Sequence, residues 1–122
     1  MRRNHDQEQA ELEAAARWLL LERGADQLER RPWRPAPVPP SAVDLVQFAV
    51  WKAGDDREAV VAALELMPAA RAEIDELEAG LLFTARSLGL TWAEMARALG
   101  LNSPQACRQR WDRLAARQGD QP

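Results

Sequence analysis

The stretch TWAEMARALGLNSPQACRQRW, residues 91–111, decides how the rest of this 122-residue chain is read. Thr91 is followed three residues later by Glu94, the pairing of a capping box that starts a helix. That helix is expected over 92–99, with Gly100 ending it. Asn102 or Ser103, followed by Pro104, opens a last helix through about Arg117. Two helices joined by about four residues have helix-turn-helix proportions.

On the last helix, Ala106, Cys107, Arg110, Trp111 and Leu114 fall on one side, and Gln105, Arg108, Gln109, Asp112 and Arg113 on the other. The first side is mostly apolar and must pack against neighbours. The second is polar and rich in planar, multi-donor groups. Arginine pairs bidentately with guanine O6 and N7, and glutamine does the same with adenine N6 and N7. Such residues near the start of a helix that follows a tight turn are what major-groove docking requires. A plain solvated face of a helical bundle carries the same pattern, so periodicity leaves both readings open.

The segment resembles a Myb-type (SANT-like) DNA-binding repeat over about residues 72–117. Trp92-Ala93-Glu94-Met95-Ala96-Arg97, with Leu99 beyond it, is similar to that repeat's second helix. Ser103 sits at its capping position, Ala106, Cys107 and Trp111 at its core positions, and Arg110-Trp111 at the end of its third helix. Ile74 falls 18 residues before Trp92, where the first of the repeat's spaced tryptophans usually lies. The segment is also similar to sigma-factor region-four, LuxR-type and actinobacterial regulator helix-turn-helices. The resemblance implies base reading by Gln105, Arg108, Gln109 and Asp112, and phosphate contact by Thr91, Arg97, Ser103, Arg113 and Arg117. A typical repeat is more basic around its third helix, and Asp112 departs from that pattern. Some SANT-like domains bind protein instead.

Charge is unevenly placed. Residues 81–122 hold six arginines (Arg86, Arg97, Arg108, Arg110, Arg113, Arg117) against Glu94, Asp112 and Asp120, whereas the chain as a whole is at −3. One end suits a polyanion and the other avoids it. Fifteen of the sixteen basic residues are arginine, Lys52 being the exception; a GC-rich genome produces the same bias. The lone Cys107 excludes an intrachain disulfide and a cysteine-rich zinc site, and is expected to pack in the core. His5, the only histidine, has no partner group nearby in sequence. No phosphate loop, paired-carboxylate site or Ser/His/Asp set is recognisable. The chain is therefore read as a non-enzyme without cofactor, metal or evident small-molecule effector.

Upstream, helical spacing dominates and no segment alternates as strands do. A first helix is expected over about 6–23, with Leu12, Ala16, Leu19 and Leu20 on one face. The segment RPWRPAPVPP, residues 31–40, is an extended, semi-rigid spacer. Trp33 within it is expected to dock on the protein's own core, the other reading being an anchor for a partner. Ser41 and Asp44 cap a helix over 42–53 that should be buried on most sides. Asp55 or Asp56 then caps a short helix to Met67 with Val60, Ala63, Leu64 and Met67 facing the core. Pro68 opens another, 69–88, with the stripe Ile74, Leu77, Leu81, Ala85 and Leu88. Trp18, Trp51, Trp92 and Trp111 are expected to pack. No apolar run reaches the ~20 residues that cross a bilayer, and MRRNHDQEQAELE does not look like a secretory signal.

The expected architecture is an all-α domain of five to six helices ending in a Myb-like tri-helical helix-turn-helix. An N-terminal helical extension (1–31), a proline-rich linker (32–40) and a helical hairpin (41–68) precede the DNA-binding part (69–118). The expected function is sequence-preferring binding of double-stranded DNA, most simply as a bacterial transcriptional regulator in the cytoplasm, associated with the nucleoid. A homodimer through helices 6–23 and 42–53 is the expected assembly, since one such module spans few base pairs. The other readings are a protein-interaction module, with a sigma factor or phage component as partner, and a nucleoid-packaging protein of little sequence preference.

Overall fold

The computed structural model describes the backbone of residues 2–29 and 39–119. Trp33 and its expected docking lie outside the described residues. Every regular element among them is helical: α1 (Arg2–Glu22), a single 3-10 turn (Ala25–Gln27), α2 (Ala42–Lys52), α3 (Arg57–Ser87), α4 (Trp92–Leu99) and α5 (Pro104–Gly119). None is long and apolar enough to cross a membrane. The chain divides into two compact units, residues 1–73 and 74–122, each with its own core. The division falls within α3, rather than at residue 68.

In the first unit, Ala16 and Leu20 of α1 are buried with Leu45, Phe48 and Ala49 of α2 and Ala59, Ala62, Ala63 and Leu66 of α3. The first helix is thus part of a core rather than an extension. The expected core face of residues 55–67 is shifted: Val60 and Leu64 are exposed and Ala59, Ala62 and Leu66 take their place. The small alanines let the helices approach closely, which the bulkier valine and leucine would prevent. Leu12, Trp18 (65%) and Trp51 (75%) are also exposed, against expectation. Only one stripe of α2 is covered, so Val50 faces outward as well.

The start of α2 is the best-satisfied helix end in this unit. Ser41 Oγ accepts from the Asp44 amide (3.1 Å) while the Asp44 carboxylate accepts from the Ser41 amide (3.1 Å). Glu73, on α3, accepts from the next two amides, Ala42 (2.8 Å) and Val43 (3.0 Å). A carboxylate there also meets the positive end of the helix dipole. Arg17 completes the arrangement, donating to the Pro40 carbonyl (2.9 Å) and lying 3.7 Å from Glu73.

Pro68 does not begin a helix. It sits inside α3, exposed, where it cannot donate to the carbonyl four residues back. Burial of Ala62, Ala63 and Leu66 before it and Ala70 after it holds both flanks in one helix. At the start of α3, Asp56 accepts from the Ala59 amide (3.2 Å) and from Arg23 Nε (2.9 Å). The Arg23 hydrogen bond, chiefly, and the backbone bond hold the Asp56 carboxyl below its usual value. Because the folded-state value is the lower one, Asp56 stabilises the fold fully above about pH 4. That contribution fades as pH falls through the depressed value. Urea midpoints taken from pH 5 down to pH 2 should therefore fall less steeply in Asp56→Asn than in the wild type.

The second unit is the C-terminal part of α3 with α4 and α5. Leu82, Met95, Ala96, Cys107 and Leu114 are buried together, with Ala79, Ala85, Trp92 and Trp111 packed against them. The stripe expected in this core is largely outside it: Ile74 (53%), Leu77, Leu81 (70%) and Leu88 are exposed, and only Ala85 is partly covered. The inward positions are instead Asp75, Glu78, Ala79, Leu82 and Ala85, a helical row turned from the apolar one. Two of its members are acids that meet arginines of α5. Ile74 therefore does not occupy the buried position that the Myb-type resemblance implies for it.

Candidate nucleic-acid interface

Two glycine-ended corners position α4 and α5. Gly89 (φ 88°) and Gly100 (φ 73°) adopt left-handed backbone that a side chain would strain. At each corner the following leucine returns its amide to the helix just ended: Leu90 to Ala85 (3.0 Å) and Leu101 to Ala96 (2.8 Å). Leu90 and Leu101 also pack against the second core, so each turn is fixed by both hydrogen bonding and burial. The helix starts are equally explicit. Thr91 Oγ accepts from the Glu94 amide (3.0 Å) and Glu94 accepts from the Thr91 amide (3.3 Å), closing the expected capping box. Ser103, not Asn102, caps α5, its Oγ accepting from the Ala106 amide (3.1 Å).

The two sides of α5 divide as the spacing requires. Cys107 and Leu114 are buried, and Ala106, Arg110 and Trp111 are partly buried. Gln105, Arg108, Gln109, Asp112 and Arg113 are all exposed. Burial pushes the Cys107 thiol above its usual value, with Glu78 adding to the effect. At neutral pH this thiol should react with a soluble disulfide reagent only at the rate at which the unit opens. Immediate full labelling of the native chain would contradict that packing.

Arg110 is a structural residue. Both its Nε and Nη2 donate to Glu78, the latter at 3.1 Å, a bidentate tie between α5 and α3. Arg117 pairs with Asp75 through one nitrogen, a second tie between α5 and α3. Of the residues expected to meet phosphate, Arg97 and Arg113 have no acidic partner among the described residues, whereas Arg117 would have to share or leave Asp75. Arg113 and Arg117 lie to one side of the Gln105–Arg108–Gln109–Asp112 row, lining a small hollow of about 120 Å³ with Asp75 and Arg110.

On the other side lies an arrangement that sequence spacing did not single out. The Trp92 ring sits edge-to-face on Trp111 (6.2 Å between centroids) and is approached by two guanidinium groups, Arg108 at 5.9 Å and Arg86 at 4.7 Å. Arg86 comes from the last turn of α3 and belongs to no motif, so only the fold could bring it here.

The charge balance also reads differently against the observed boundary. Residues 74–122 contain six arginines and six acids, because Asp75, Glu76 and Glu78 join the unit. Asp75 and Glu78 are spent on α5 and Glu94 on its cap. Exposed and without an ion-pair partner among the described residues of the unit are then Arg86, Arg97, Arg108 and Arg113 against Asp112 and Glu76, the latter lining a hollow beside Trp111 and Ala115.

Compared with protein-family models, curated proteins and solved structures, the chain matches none.

Proposed function

We propose that the protein binds double-stranded DNA with a sequence preference, placing α5 in the major groove as a transcriptional regulator does. The observation that carries this reading is the exposed row Gln105, Arg108, Gln109 and Asp112 on a helix whose opposite side closes a core. Arginines stand on both sides of that row, Arg86 on the Trp92 ring that Arg108 also approaches, and Arg113 beside Arg117. A helix lying in a groove meets bases along its centre line and phosphates along its two edges, and this distribution fits that division. In this arrangement Gln105, Arg108 and Gln109 read base edges, and Asp112 accepts from a cytosine amino group. Arg97, Arg113 and the helix start at Ser103 hold phosphates, whereas the start at Thr91 is already occupied by the Glu94 carboxylate. One such unit meets few base pairs, so pairing of two chains is part of the proposal.

A second reading, docking on a protein, is favoured by one observation: Ile74, Leu77, Leu81 and Leu88 form an exposed apolar row on the same unit. Titrating the full chain against random duplex DNA at low and moderate salt separates the two. DNA binding must weaken as salt rises, because each neutralised phosphate releases counterion. No measurable binding at low salt would sink the DNA reading. Salt-dependent binding that is equal on all duplexes would support packaging of DNA without sequence preference.

A further inference from the structure

Arg86 sits apart from the α5 row in sequence yet shares an indole with it. We infer that Arg86 is a phosphate-binding residue, held on Trp92 at the edge of the groove that α5 enters; this rests on the DNA-binding reading. Its guanidinium carbon lies 4.7 Å from the Trp92 ring centre and that of Arg108 lies 5.9 Å from the same point. The two groups are therefore no more than about 10.6 Å apart, less than the ~12 Å width of a major groove, so one groove can meet both. With Arg108 over the base edges, Arg86, which comes from α3 rather than α5, is within reach of the backbone at the groove's edge.

The surroundings are arranged for an anion. Arg86 Nη1 donates to the Leu90 carbonyl (3.0 Å), which fixes the side chain and leaves its other donors outward. The two nearest acids along the chain are both committed, Glu78 to Arg110 and Glu94 to the Thr91 amide and hydroxyl (3.3 and 3.1 Å). Neither Arg86 nor Arg108 has an acidic partner among the described residues. Two like charges over one ring repel, and the ring's negative face offsets only part of that repulsion. A phosphate removes the rest, and a guanidinium already fixed in place binds it with less lost freedom.

The test uses the full chain and two short duplexes, one enriched from a random library and one scrambled, titrated over a series of KCl concentrations. Arg86→Gln should weaken binding to both duplexes alike, by about threefold to tenfold, and lower the slope of log affinity against log salt by about one. Arg86→Lys, which keeps the charge without the planar stacking, should recover the slope but only part of the affinity. Circular dichroism and the melting midpoint check that each variant is folded. Unchanged affinity and slope in folded Arg86→Gln, with Arg108→Ala still relaxing sequence preference, would overturn the role of Arg86 and leave the DNA reading intact. A loss confined to the enriched duplex would also overturn it, since that marks a base contact. Absence of salt-dependent binding by the wild-type chain would remove the DNA reading itself.

Discussion

Replacing Leu82 with alanine should destabilise the second unit by about 2–5 kcal/mol, whereas the same change at Leu81 should cost less than about 1 kcal/mol. The two leucines are neighbours on α3, identical in chemistry and helix propensity. They differ in what surrounds them. Leu82 is 4% exposed and packs among Met95, Ala96, Cys107 and Leu114; Leu81 is 70% exposed. Truncating Leu82 removes buried methyl groups and leaves a cavity that α4 and α5 can only partly fill. Truncating Leu81 removes atoms that already face water. Urea unfolding followed by circular dichroism measures both changes. Equal losses would mean that α3 is rotated about its axis relative to the packing described, or that Leu81 is covered in an assembly.

That pair also marks where the sequence could be read and where it could not. The caps at Ser41, Thr91 and Ser103 and the ends at Gly89 and Gly100 were legible, because a cap is a local contract between residues three apart. The two sides of α5 were legible for a similar reason: its apolar and polar residues segregate cleanly. The inward face of α3 was not. Its most apolar row is Ile74, Leu77, Leu81 and Leu88, yet the row facing α5 contains Asp75 and Glu78. Hydrophobic spacing ranks faces by oil content, and it has no term for acids whose partners, Arg117 and Arg110, lie 42 and 32 residues away. The same blindness hid Glu73 at the start of α2 and Arg86 on Trp92. Pro68 misled for a different reason: the rule that proline ends helices yields when both flanks are buried.

Arg108→Ala should weaken binding to a preferred duplex by about 1–3 kcal/mol, roughly fivefold to 150-fold, and flatten the preference at one base position. Arg108 is exposed, lies one turn beyond Gln105 and one turn before Asp112, and has no acidic partner among the described residues. Its guanidinium is aligned by Trp92 rather than by a salt bridge, so its paired donors stay available for guanine O6 and N7. Because it takes no part in either core, the melting midpoint should stay at the wild-type value. Loss of affinity shared equally by preferred and scrambled duplexes would reassign Arg108 to the phosphate backbone.

If the exposed row of α5 reads DNA sequence, Arg108 must carry discrimination between duplexes. The most direct test is the ratio of affinities of the full chain for an enriched and a scrambled duplex, taken at one fixed salt concentration for wild type and Arg108→Ala. The ratio should be well above one for the wild type and collapse toward one in the variant while the fold is unchanged. A wild-type ratio of one, or a high ratio that Arg108→Ala leaves intact, would contradict sequence reading by this row.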